Sequence, residues 1–145
     1  MSKIKYLVLA GLASLVVLAT APAMAQFKPT PANPQISTPK VYLSAATTNS
    51  NLVRAGRTKL NQLAVTNSAG AAYYLKLYDK ATAPTCGTDT PVATLGIAAG
   101  GAVIGSVPSL GFQNGLGFCI TGAIANNDTT AAATGVAVTF GYAPF

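Results

Sequence analysis

The stretch Ala71-Ala-Tyr73-Tyr74-Leu75-Lys76-Leu77-Tyr78-Asp79 alternates two sets of side chains, Tyr73, Leu75 and Leu77 against Tyr74, Lys76 and Tyr78. A period of two is the mark of a strand with one buried face, because successive side chains point to opposite sides of the pleat. Burying Leu75 and Leu77 with Tyr73 leaves Lys76 and Tyr78 outward. The opposite assignment buries an ammonium with no acidic partner close in sequence, which is costly. This reading therefore places a strand here, with Lys76 and Tyr78 in solvent.

Just upstream, Leu60-Asn-Gln-Leu63-Ala-Val65-Thr66 is a second strand-like run, and Asn67-Ser-Ala-Gly70 lies between the two. The arrangement predicts an antiparallel hairpin closed by a four-residue loop. Outward from this pair, further strands are expected at 41–46, 51–55, 92–98, 102–107, 116–123 and 134–142. The clusters at 47–50, 83–91, 98–101, 108–115 and 126–130, rich in Gly, Pro, Asn, Ser and Thr, are the turns between them. No segment shows a capped 3.6-residue pattern. The expectation is an all-β domain, an antiparallel β-sandwich of jelly-roll or immunoglobulin-like form with about seven or eight strands.

The ends of the chain bear on compartment. Lys3 and Lys5 precede an uncharged run from Tyr6 to Ala21, followed by Pro22 and Ala23-Met24-Ala25. A basic start, a short apolar core and small residues at the −3 and −1 positions form a secretory signal cleaved after Ala25. The apolar run is shorter than the roughly 20 residues needed to span a bilayer. Residues 1–25 are read as signal peptide, 26–39 as a Pro-rich leader or linker, and 40–145 as the sandwich domain, with no transmembrane span after cleavage. The destination is the periplasm, the cell surface or the medium.

Cys86 and Cys119 are the only cysteines. In an exported chain an even count points to a disulfide. With Phe118 and Ile120 in the core, Cys119 faces outward, and Cys86 lies in the loop 83–91. A bridge would staple that loop over the outside of a strand.

The segments Tyr74-Leu-Lys-Leu-Tyr-Asp-Lys-Ala-Thr-Ala-Pro84, Gly87-Thr-Asp-Thr-Pro91, Gly115-Leu-Gly-Phe118 and Asn126-Asn-Asp-Thr-Thr130 follow one another in order. Together they resemble a group of small, largely uncharacterised β-sandwich proteins of bacteriophage and prophage genomes, over roughly Leu52 to Tyr142. The resemblance implies a non-enzymatic structural or virion-surface module and supplies no functional residues. Its pattern lacks an export signal, since virions assemble in the cytoplasm. An exported, host-adopted copy of the fold reconciles the two.

Composition narrows the chemistry. The sequence has no His, and its three acids are Asp79, Asp89 and Asp128. Ser-His-Asp and Cys-His nucleophile systems need an imidazole and are excluded. Asp79 with Asp128 is the pair to test for glycosidase chemistry. Asp128 among Asn126, Asn127 and Thr129 could offer oxygen ligands to calcium, though a turn is the simpler role. No catalytic, cofactor or metal site is assigned. Lys28, Lys40, Arg54, Arg57, Lys59, Lys76 and Lys80 leave the exported part basic, which suits a polyanionic neighbour or only a soluble surface, and no motif points to nucleic acid.

Tyr74, Lys76, Tyr78 and Lys80 form a possible outward stripe of the kind that holds sugars or polyanions, or simply cover their cross-strand neighbours. The sequence thus predicts an exported structural or interaction module, with self-association or cell-surface polysaccharide as possible partnerships. A glycan- or polyanion-binding surface domain is the first alternative. A small outer-membrane barrel is the second, raised by the alternating C-terminal strand ending at Phe145, although Pro144 and the phase of the alternation oppose it. N-terminal sequencing of exported material should read Gln-Phe-Lys from Gln26; a retained Met1 would refute cleavage.

Overall fold

A computed structural model describes residues 37–144; the signal segment and most of the leader lie outside the described residues. Eight strands are present among the described residues: β1 Thr38–Leu43, β2 Asn51–Ala55, β3 Thr58–Asn67, β4 Tyr73–Asp79, β5 Ala93–Ile97, β6 Ala102–Phe112, β7 Gly115–Thr121 and β8 Val136–Pro144. They form two antiparallel four-stranded sheets, ordered β1-β8-β3-β6 and β2-β7-β4-β5. Only β4 and β5 are consecutive neighbours within a sheet. This is the jelly-roll form of the sandwich. Neither sheet is a run of consecutive hairpins, so the strand order is not that of an up-and-down barrel.

The predicted hairpin between residues 60–66 and 71–79 is not formed. β3 sits between β8 and β6 in one sheet, and β4 sits between β7 and β5 in the other. The chain between them crosses from sheet to sheet. Asn67 holds that crossing: its buried side-chain amide donates to the carbonyls of Ala71 at 2.8 Å and Ala98 at 3.0 Å, and its side-chain oxygen accepts from the Ala69 N–H at 3.0 Å. One side chain ties the β3–β4 and β5–β6 connections together.

The inner faces carry the expected alternation. Leu60, Leu63 and Val65 of β3, Val136, Val138 and Phe140 of β8, Leu75 and Leu77 of β4, and Leu116, Phe118 and Ile120 of β7 are all buried in one core. Tyr42, Phe118 and Phe140 pack as an aromatic cluster across the sheets, with ring centroids 4.8 to 5.9 Å apart. Two prolines lie within strands, Pro39 in β1 and Pro108 in β6, and both strands are sheet edges, where a missing N–H costs no ladder bond. At Pro108 the β3–β6 register also jumps, from Leu60 opposite Leu110 to Gln62 opposite Ser106. β6 therefore extends through residues that the turn signal at 108–115 had marked as loop, and β1 begins within the Pro-rich leader.

Cys86 and Cys119 are bonded across a separation of 33 residues. Cys119 lies on the outer face of β7, and the bond pins the β4–β5 loop over that face. Closing a loop of this length removes freedom mainly from the unfolded chain. Replacing both cysteines by serine should lower unfolding free energy by about 2–5 kcal/mol in denaturant melts.

Candidate functional site

The outer face of the β2-β7-β4-β5 sheet is covered. Across it, Lys76 of β4 stands opposite Cys119, Tyr78 opposite Gly117 and Tyr74 opposite Thr121. Gly117 has no side chain, and the Pro84 ring takes the space: Pro84 Cδ lies 2.9 Å from where a β-carbon would stand. Gly87, at a positive φ of 82°, brings the same loop against Asn127 and Thr129 of the β7–β8 connection. The two loops together roof β4.

Under that roof the predicted stripe is not a surface. Lys76 and Tyr78 have no exposed area, while Tyr74 and Lys80 are half-buried. The assignment of Leu75, Leu77 and Tyr73 to the core holds, but the outward placement of Lys76 and Tyr78 does not. β4 is buried on both faces, because loops distant in sequence cover the side that periodicity assigns to solvent. The Lys76 ammonium donates to the Ala125 carbonyl at 2.5 Å. Desolvation lowers its pKa below the ordinary lysine value, and the charge of Asp128 works in the other direction. The Tyr78 hydroxyl meets no hydrogen-bond partner among the described residues. Burial, with the nearby charge of Asp89, raises its pKa.

Each carboxylate is engaged by a turn. Asp79 accepts the N–H groups of Asn114 at 2.7 Å and Gly115 at 3.2 Å, locking the β6–β7 turn. Asp89 accepts from Lys80 at 2.5 Å and from the Thr85 N–H at 2.6 Å. Asp128 accepts from the Ala123 N–H and the Thr130 hydroxyl, both at 2.7 Å. Partial burial opposes ionisation of Asp128, but these bonds outweigh it and hold its pKa at about 2. Asp79 lies opposite Leu116 near the start of β7, and Asp128 binds just beyond its end. From Leu116 to Thr121 the strand is roughly 16 Å long at about 3.3 Å per residue, so the two carboxylates belong to opposite ends of β7 rather than to a pair at the roughly 5–9.5 Å spacing of glycosidases. Among the described residues no three His, Cys, Asp or Glu side chains gather as metal ligands.

Among the described residues nothing roofs the outer face of the β1-β8-β3-β6 sheet. The row Pro39–Gly141–Gln62–Ser106 and, beyond it, Lys59 with Ala143 and Gly111 occupy one end of it, and at the other end lie two adjacent cross-strand rows, Val41–Thr139–Ala64–Ile104 and Leu43–Ala137–Thr66–Ala102. These two rows contain no charge and mostly small side chains. Val41, Leu43 and Ile104 stand 62%, 78% and 72% exposed. Sequence reasoning missed this face. Its signal was present in the strict alternation of β8, whose second set, Ala137 and Thr139, is small and uncharged.

No protein-family model and no curated protein matches the chain. Among solved structures, the coat protein of tobacco streak virus is similar at 13% identity and a TM-score of 0.33 in its dimer, covering 78% of this chain and 90% of that one. A second structure of that coat protein gives 12% identity and a TM-score of 0.31, covering 74% and 86%. Neither is a bacteriophage protein, so the expected bacteriophage and prophage group finds no support, and at such scores the likeness carries no argument.

Two substitutions separate packing from charge under the roof. Lys76→Ala leaves a void and should cost about 2–4 kcal/mol. Lys76→Met keeps the stem, removes the ammonium and should stay within about 1 kcal/mol of the parent. Tyr78→Phe, which deletes an unpartnered hydroxyl, should raise stability by about 1 kcal/mol. Denaturant melts of the three variants provide the check.

Proposed function

We propose that this chain is an exported, non-enzymatic structural module that self-associates through the bare outer face of the β1-β8-β3-β6 sheet. The observation that supports this most directly is the contrast between the two outer faces. One is roofed by two loops, of which the β4–β5 loop is pinned by the disulfide. The other leaves Val41, Leu43 and Ile104 exposed on rows of Ala and Thr.

Monomeric proteins do not usually leave a continuous uncharged patch of this kind in water. Small residues along the rows let a second sheet approach to the roughly 10 Å spacing of stacked sheets, with the larger side chains at either edge interdigitating. Because the patch is a single surface, two copies can bury it against each other around a two-fold axis. The disulfide suits an oxidising compartment, in line with export. The engagement of all three carboxylates by turns accords with a role in assembly rather than in proton transfer.

Sedimentation velocity over a concentration series tests the reading. The disulfide-bonded chain should show reversible association, and the double variant Leu43→Lys, Ile104→Lys should sediment as a monomer with an unchanged fold. A parent that is monomeric throughout, or a double variant that associates equally well, would refute it.

A further inference from the structure

The two open sides of the sandwich are closed differently. On the β1–β2 side, Lys40 and Tyr42 reach from the first sheet to the edge of the second. The Lys40 ammonium donates to the Val53 carbonyl at 2.9 Å, and the Tyr42 hydroxyl donates to the Leu52 carbonyl at 3.1 Å. Edge groups of β2 are thereby satisfied and the core beneath is sealed. The same cross-strand row that begins at Lys40 runs through Phe140 and Leu63 and ends, on the opposite side, at Gly105 of β6. There is nothing at that end to reach across.

A groove of about 330 Å³ opens there between the edge strands β5 and β6. Its floor is Leu60, Leu63 and Leu77, buried core residues. Its walls include Ala93 and Leu95 of β5 and Val107 of β6, which pack on the core but remain half-covered. No charged residue lies between Asp89 and Asp128, a span that contains both edge strands whole. Proteins commonly protect sheet edges with a lysine, a proline or a bulge. β6 has Pro108 and the register jump beside it. β5 has none of these: it pairs without interruption with β4 from Ala93 to Ile97, and among the described residues no strand pairs with its other edge, although the Ile97 carbonyl at its end accepts from the Asn67 amide at 3.3 Å.

We propose that this groove is a strand-accepting site. It takes an extended, uncharged peptide segment that adds to the other edge of β5 and sets alternate apolar side chains onto Leu63 and Leu77. The unpaired main-chain row of β5 decides the class of occupant. A hydrocarbon chain would fill the apolar volume and leave those N–H and C=O groups unmet, whereas a peptide backbone pairs with them while its side chains fill the groove. A charged segment would have to lose its hydration against a wall that offers no counter-charge. The inference does not rest on self-association through the bare sheet face, which lies on a different surface.

Gly105 provides the test. A β-carbon there meets nothing within 4 Å, and its φ is not one that restricts other residues, so a side chain can start at this position, which lines the groove, and Gly105→Leu is the variant to occupy it. Fluorescence anisotropy would follow binding of a panel of end-blocked ten-residue peptides alternating Val with Thr, Ile with Ser, and Leu with Gln. At least one should bind the disulfide-bonded chain saturably, and Gly105→Leu should weaken it tenfold or more with the near-ultraviolet circular dichroism unchanged. Methylating alternate backbone nitrogens of that peptide, on the edge facing β5, should abolish binding to the parent chain, a comparison that needs no protein variant. Failure of the whole panel to bind would overturn the proposal. So would equal binding of the methylated peptide, or N-phenyl-1-naphthylamine occupying the groove while no peptide competes with it, which would mark a hydrocarbon site.

Discussion

Neither sheet of this sandwich can be assembled without the other. Six of the seven connections between consecutive strands cross from one sheet to the other, and only β4 and β5 are joined within a sheet. Every other hydrogen-bonded pair joins strands that are not consecutive, as when β1 pairs with β8. The burial that stabilises any one strand is therefore available only once distant parts of the chain have met. Such topologies search slowly and gain from any constraint on the unfolded chain. The bond between Cys86 and Cys119 is one such constraint, linking the β4–β5 loop to a central strand of the same sheet.

That bond also determines what happens above β4. A loop drawn down onto the outer face removes water from whatever lies beneath it, and Lys76 and Tyr78 lie there. The ammonium keeps one good acceptor, the Ala125 carbonyl, and feels the charge of Asp128, itself held ionised by its turn. Burial of this kind costs more than it returns in attraction unless the remaining contacts are good. The aliphatic stem of Lys76 supplies those contacts as packing, in the manner of other long charged side chains laid along apolar surface.

Much of this was legible in the sequence. Seven of the eight strands were anticipated within about three residues, because alternation and turn residues are local signals, while β6 runs five residues past its expected end. The disulfide followed from the even cysteine count of a chain read as exported, and its placement over the outside of β7 from the pleat around Cys119. Two of the missed features are non-local. Asn67 to Gly70 reads as a hairpin loop because a short polar turn between two alternating strands looks the same whether the second strand folds back or crosses to another sheet. What decides is that β3 finds β8 and β6 as partners on its two edges. The second is the burial of Lys76, since the period of two says which residues share a face but not that loops around Pro84 and Asn127 will roof it. The Tyr74, Lys76, Tyr78, Lys80 stripe failed as a surface for that reason, and the bare face on the other sheet was overlooked because its small residues carry no motif.

The few charges of the domain explain why its open surfaces are so apolar. Asp79, Asp89 and Asp128 each hold a turn, Lys80 is paired with Asp89, Lys76 is under the roof, and Lys40 seals the β1–β2 side. With these side chains engaged in tying loops and edges, the two rows of the bare sheet face farthest from Lys59 and the walls of the β5–β6 groove have none. Solvation of those surfaces then rests on the hydroxyls of Thr66, Thr139, Thr94 and Ser106 and on the β5 main chain, groups that another polypeptide can satisfy as well as water can. Uncharged surface of that kind is costly to hide from a partner and inexpensive to give to one. The same distribution of charge that stabilises the loops therefore leaves those two surfaces uncharged, as the proposed associations with polypeptide require.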